Sequence, residues 1–133
     1  MYLLDSDSLI NFLNGDKKMV EAVYKIHKKG IATSVICLAE VLEGLYTLSD
    51  KRKTGEFEKF ISAVEVFPVD ETTAREFARI RKALRKKGQL IDNFDLLIAA
   101  TCLAHDLTLV TGNLTHFKRI GGLKIYTSVG MKL

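Results

Sequence analysis

The chain has 133 residues, 47% of them hydrophobic and 27% charged, with one Pro and nine Gly. These values exclude a disordered or collagen-like chain and describe one ordinary domain, long enough to bury roughly two-thirds of its unfolded surface without staples. Twenty basic against sixteen acidic residues give a net charge of +4, which permits an acidic partner such as nucleic acid but does not require one.

The predicted elements alternate along the chain. Tyr2 to Asp5 reads as a short apolar strand, and Leu9 to Leu13 opens a helix that Gly15 ends. Asp16 caps a second helix through Val20, Val23 and Ile26, closed by Gly30. Ile31 to Thr33 is a second strand. Ser34 starts a strongly apolar helix, and Asp50 to Val64 forms another, with Phe57, Phe60, Ile61 and Val64 at helical spacing. Val66 to Val69 is a third strand, which Pro68 makes short or places at an edge. Asp70 to Lys87 is a charged helix with Phe77, Ile80 and Leu84 on one face; Asp92 to His105 is the next helix. Thr108 to Thr111 is a fourth strand, Thr115 to Ile120 a short helix, and Lys124 to Tyr126 a last strand. Strands separated by helices predict an α/β fold, a parallel sheet covered on both faces in an α/β/α sandwich. No linker or repeat interrupts the pattern, so residues 1–133 are expected to form one domain.

Cys37 and Cys102 lie in apolar runs and read as small hydrophobes in a reducing compartment. Asp5 follows the N-terminus too soon for a signal peptide, and the apolar run Leu96 to Ala104 is too short to span a bilayer. The expectation is a cytoplasmic protein without a membrane anchor.

In parallel sheets, ligands bind outside the carboxyl ends of the strands, and polar residues gather there in this sequence. Asp5 ends the first strand, with Ser6 and Asp7 just after it. Capping of the following helix by Asp7 or Ser8 is an equal explanation for Asp7, and a weaker one for Asp5. Glu40 shares a helix face with Ile36, Cys37 and Gly44, an expensive place for a carboxylate unless it is compensated or reaches the rim. Asp92 and Asp95 open a helix, where capping and the helix dipole alone account for both. Thr111-Gly112-Asn113 follows the fourth strand and also reads as a plain turn. Brought together, such acids repel by roughly 4 kcal/mol per pair at 4 Å and an effective dielectric of 20, so a cluster of them calls for a cation. Oxygen ligands favour Mg²⁺ or Mn²⁺ over zinc. His27, His105 and His116 show no zinc-ligand spacing and read as surface or element-end residues.

The runs Leu3 to Ile10, Ser34 to Glu40 with Gly44, Asp92 to Ala100, and Leu109 to Asn113 with His116-Phe117, in this order and in a chain of this length, resemble the PIN-domain ribonucleases and, within them, the VapC-type toxins of toxin–antitoxin pairs. The resemblance implies a PIN-like fold and Mg²⁺- or Mn²⁺-dependent hydrolysis of RNA phosphodiester bonds. It places the family's acids on Asp5, Glu40 and Asp95, and its fourth site position, often Asp, on the neutral Asn113. Asp7 and Asp92 match less constant positions and are carried as further ligands. Ser6 and Thr111 are expected to hold a ligand carboxylate or a water in place. The resemblance further implies a VapB-type antitoxin that binds along the apolar helices, and a homodimer.

Between Arg75 and Lys87 the sequence carries seven basic residues against the single acid Glu76. Of these, Arg79, Arg81, Lys82, Arg85, Lys86 and Lys87 are the candidates for tracking an RNA backbone, with Lys118 and Arg119 adding to them; a solvated helix face explains the same run. Two rival functions stand beside the nuclease. Asp5-Ser6-Asp7 after a strand also resembles the aspartate-nucleophile phosphohydrolases, although the distal Lys and adjacent acid pair of that family are missing. The other rival is a receiver-like or RNA-binding module whose acids bind Mg²⁺ without catalysis.

Overall fold

Five apolar runs pair into one parallel sheet in the computed structural model, which describes residues 1–127. The strands are β1 (Tyr2–Leu4), β2 (Ile31–Ser34), β3 (Glu65–Phe67), β4 (Thr108–Val110) and β5 (Ile125–Tyr126). Their spatial order is β3-β2-β1-β4-β5, and every pairing is parallel. Leu3, Leu4, Ala32, Leu109 and Val110 are fully buried, as expected of a sheet covered on both faces. Pro68 has the predicted effect: β3 is three residues long, ends one residue before it, and lies at the sheet edge.

Seven α-helices connect the strands: α1 (Ser6–Leu13), α2 (Lys17–Ile26), α3 (Val35–Leu48), α4 (Lys51–Ile61), α5 (Glu71–Lys86), α6 (Asn93–His105) and α7 (Leu114–Phe117), with a 3₁₀ turn at His27–Lys29 after α2. The result is a three-layer α/β/α sandwich. Right-handed crossovers put α1 to α4 on one face, because the chain walks outward from β1 to β3, and put α5 to α7 on the other after it jumps back to β4.

Six helices start on a side-chain cap, five of them with one spacing and α6 on Asp92, which accepts from Phe94 N. Asp5, Asp16, Ser34, Asp50 and Asp70 each accept from a backbone N–H three residues on. Several boundaries differ from the sequence reading: β3 is Glu65–Phe67 where Val66 to Val69 was expected, because Pro68 has no N–H for the ladder, α7 ends at Phe117 and not at Ile120, and two further helices change. The first helix starts at Ser6 instead of Leu9, because Asp5 itself is the cap. The helix predicted to run to Val64 ends at Ile61, and Val64 leads the chain into β3. Phe57 of that helix is 1% exposed and anchors α4 to the core. Among the described residues, no helix is long and apolar enough to cross a membrane.

Candidate active site

The strand order reverses at β1, with β2 on one side and β4 on the other. The crevice outside the carboxyl end of β1 is therefore the topological switch point, where ligands of such sheets bind. Asp5 is the first residue past β1. Its backbone N–H donates to Val110 O of β4 (3.2 Å), and its Oδ1 accepts from Ser8 N (2.9 Å). Capping α1 thus fixes the side chain beside the switch point, and Asp5 is 6% exposed. Burial pushes its carboxyl above the usual range; hydrogen bonds from Ser8 and Thr111 oppose this, and the charge of Asp7 adds to it.

Glu40 comes from α3, one and a half turns past the Ser34 cap. Ser6 Oγ donates to Glu40 Oε1 at 2.5 Å, joining the start of α1 to α3. The Glu40 carboxyl is also pushed up, first by loss of solvent, with Ser6 opposing, and then by the charges of Asp95, Asp92 and Asp7. Those three carboxylates come from two other helices, so α1, α3 and α6 converge on one negative field.

Asp92 caps α6 by accepting from Phe94 N (3.0 Å) and is exposed, as is Asp7. Asp95 departs from the capping explanation. Its Oδ2 lies 3.2 Å from His116 Nδ1 on α7. Asn113 Nδ2 lies 3.1 Å from the same nitrogen, and Asn113 N donates to Thr111 Oγ1 (3.0 Å). A protonated Nδ1 donates to Asp95, and a bare Nδ1 accepts from Asn113. The ring therefore bridges the residue predicted as third acid and the one predicted at the fourth position. The sequence reading had set His116 aside as an element-end residue; its place three residues after Asn113, which immediately precedes α7, is the signal that could have found it.

Hydrogen bonds and charge thus link Asp5 to Asp7 and Thr111, Glu40 to Ser6, Asp7, Asp92 and Asp95, and Asn113 to Thr111 and His116, around the carboxyl end of β1. Among the described residues, no Lys or Arg forms an ion pair with any of these five acids, and no three Asp, Glu, His or Cys side chains already converge tightly enough to surround one ion. The donor chemistry fits a hard divalent cation: carboxylate oxygens from the starts of α1 and α6 and from α3, with Asp5 and Glu40 held above their ordinary pKa first by burial and then by neighbouring carboxylates, and with no Lys or Arg paired to them among the described residues.

The basic helix α5 lies beside this crevice. Arg81 Nε donates to Asn93 Oδ1 (3.2 Å) at the first residue of α6. Lys82, Arg85, Lys86 and Lys87 are exposed, whereas Arg79 is engaged by Glu76 (2.6 and 3.0 Å). Lys87, Lys118 and Arg119 line one cavity with Gln89 and Thr115, between the end of α5 and α7.

Residues 2–123 match the PIN domain family. The chain belongs to the PIN-domain family. Among its relatives, ribonuclease VapC1 of Methanocaldococcus jannaschii is 32% identical over 93% of this PIN domain and 85% of its own length. The tRNA(fMet)-specific endonuclease VapC of Salmonella typhimurium is 29% identical over 93% and 95%. The crystal structure of VapBC2 from Rickettsia felis, bound to a DNA fragment from its promoter, superposes with a TM-score of 0.87 at 29% identity, covering 95% of this chain and 97% of that one. VapBC from Salmonella typhimurium, bound to DNA, gives 0.86 at 29% identity, covering 96% and 97%. This PIN domain is thus similar to VapC chains over nearly its full length.

Proposed function

We propose that the acidic crevice hydrolyses RNA phosphodiester bonds with the aid of Mg²⁺ or Mn²⁺. As a VapC-type PIN domain, the chain is an endoribonuclease toxin of a VapBC pair. The observation that supports the metal-dependent reading is that Asp5 at the end of β1 and Glu40, which feels the charges of Asp95, Asp92 and Asp7, are respectively a buried and a half-buried acid with no Lys or Arg paired to them among the described residues.

Asp5, Glu40 and Asp95 would hold the ion, with Asp7 and Asp92 at the rim and Asn113 as a neutral oxygen donor. When bound, such an ion acidifies water and offsets charge on the phosphoryl oxygens. The chain's own residues do the rest. Ser6 fixes Glu40 by a short hydrogen bond, Thr111 orients Asn113, and His116 holds Asp95. Removing such supporting groups weakens metal sites and activity by about 10–100-fold. His116→Ala is expected to lower kcat and Mn²⁺ affinity within that range while leaving KM for RNA unchanged. His116→Asn, whose amide nitrogen reaches the Nδ1 position, should recover part of both.

The exposed end of α5 supplies the positive surface that a backbone needs. Each phosphate contact to a single strand contributes about 0.7 to the slope of log affinity against log salt. Lys87→Ala combined with Lys118→Ala is expected to flatten that slope by about 1.4 and to weaken RNA binding uniformly across sequences. The antitoxin's place is on the apolar helices: Tyr46 and Leu48 are exposed at the end of α3, beside a cavity of about 500 Å³ between α3 and α4. The same reading includes a cytoplasmic location and a homodimer.

Purified protein incubated with structured RNA in Mg²⁺ or Mn²⁺ should yield discrete fragments, and EDTA should stop the reaction. Cleavage that persists in EDTA would sink the proposal. Capture of a phosphorylated Asp5 would favour the phosphohydrolase alternative, and RNA bound but uncut with metal present would favour the non-catalytic module.

A further inference from the structure

A cavity of different make adjoins the acidic crevice and shares Glu40 with it. It has a volume of about 600 Å³ and is lined by Ala39, Glu40 and Glu43 of α3 and by Phe94 of α6, a size typical of small-ligand pockets. Phe94 sits between Asp92 and Asp95 in the first turn of α6, and its side chain is 51% exposed while its helix neighbours Leu96 and Ile98 are buried. Glu43 is exposed, one turn beyond Glu40, and forms no ion pair among the described residues.

The charge of this lining decides which part of an RNA it accepts. Beyond Glu40, which the metal crevice claims, it holds the carboxylate of Glu43 and no Lys or Arg, so a phosphate finds no cation at the Glu43 and Phe94 end and belongs at the crevice or along α5. A neutral base needs no cation. Unstacked bases in single-stranded RNA stack on aromatic rings and are read by hydrogen bonds along their Watson–Crick edges. Phe94 offers the stacking face. An ionised carboxylate is an acceptor only, so Glu43 selects an edge that presents donors. Guanine presents two side by side, N1–H and the N2 amino group, which match the two oxygens of one carboxylate. Adenine and cytosine place an acceptor next to their amino donor, and uracil has a single N–H.

We propose that this cavity is a nucleobase subsite for a nucleotide flanking the scissile phosphate. Phe94 stacks on the base, and Glu43 accepts from its Watson–Crick donors, so that guanine is the preferred occupant. The proposal rests on the ribonuclease reading and adds the specificity-determining residues to it.

The test is cleavage of a degenerate single-stranded RNA library in Mn²⁺, with the product ends sequenced and kcat and KM measured separately, using the wild type, Phe94→Ala, Phe94→Trp and Glu43→Gln. Phe94→Ala is expected to raise KM about tenfold or more, and Phe94→Trp to stay near the wild type. Glu43→Gln is expected to flatten the guanine preference next to the cut about tenfold. Mn²⁺ binding, read separately, should match the wild type in all three variants. Variants that cut at the wild-type positions with the wild-type KM would overturn the base subsite while leaving the nuclease reading intact. A wild type that cuts no RNA would remove both. Lost Mn²⁺ binding, a changed oligomeric state, or a Phe94→Ala defect confined to antitoxin binding would each overturn the subsite and assign this face to the metal crevice, a subunit contact or the protein partner.

Discussion

Asp5→Asn is expected to lower RNA cleavage by about a thousandfold while raising the thermal stability of the protein in EDTA. The two halves have one cause. Asp5 is held in place by capping α1, and Asn caps a helix as well as Asp does, so the variant keeps the fold and loses only the charge. Loss of charge at a cation-binding position removes several kcal/mol of transition-state stabilisation, about 4 for a thousandfold change. Without the cation, that same charge is a liability. Burial raises the carboxyl of Asp5 in the folded protein above its unfolded value, so the native state binds more protons there than the unfolded chain does. Stability is therefore greatest below the unfolded pKa and falls as pH rises from about 4 through the raised folded value. Glu40 shifts in the same direction and contributes to the same window. Asn at position 5 cannot ionise and removes its share of the loss. Thermal melts of both proteins in EDTA from pH 4 to pH 8 check this: the curves should diverge as pH rises, with the variant more stable at pH 7.

The second large effect is stabilisation by the cation. A ligand that binds only the native state stabilises it by about 2.7 kcal/mol at a hundredfold excess over its Kd. For a domain of this size, that is a rise in Tm on the order of 10 °C. Mn²⁺ titrated into the wild type at pH 7 should produce such a rise by offsetting the uncompensated field of Asp5, Glu40 and Asp95. In Asp5→Asn the rise should shrink to a small fraction. An equal rise in both proteins would place the binding elsewhere on the chain.

Much of this architecture is legible in the sequence, and what is legible follows from local rules. The caps at Asp16 and Asp92, the edge position forced by Pro68 and the parallel sheet depend on residues close together in the chain. The strand-end position of Asp5 was readable for the same reason. Its second role was not: the sequence offered Asp7 or Ser8 as the cap of α1, and only the backbone turn after Leu4 makes Asp5 the acceptor for Ser8 N. Asp95 is the converse case. Local chemistry explains it fully as a helix-start acid, yet its carboxylate turns across to His116, 21 residues away. That contact, the Ser6–Glu40 bond and the cavity shared by Phe94 and Glu43 depend on how α1, α3, α6 and α7 pack around the switch point. Periodicity and capping rules carry no information about such long-range meetings. The basic run from Arg75 to Lys87 was equally visible, but its sequence did not show that Arg79 is engaged by Glu76 or that Arg81 reaches the start of α6.

The central claim is that the acids gathered at the end of β1 hold the cation on which RNA cleavage depends. Asp95→Asn tests it most directly, because this carboxylate is partly exposed and caps nothing, and Asn keeps its size and an oxygen for His116 Nδ1 while removing the charge. Single-turnover cleavage of one RNA should be measured for the wild type and this variant over a range of Mn²⁺ concentrations, starting from EDTA. The wild-type rate should rise from background to a plateau, and the variant rate should stay at least about a hundredfold below it at every concentration. A variant that reaches the wild-type plateau with the same Mn²⁺ dependence, or a wild type that cuts as fast in EDTA, would contradict it.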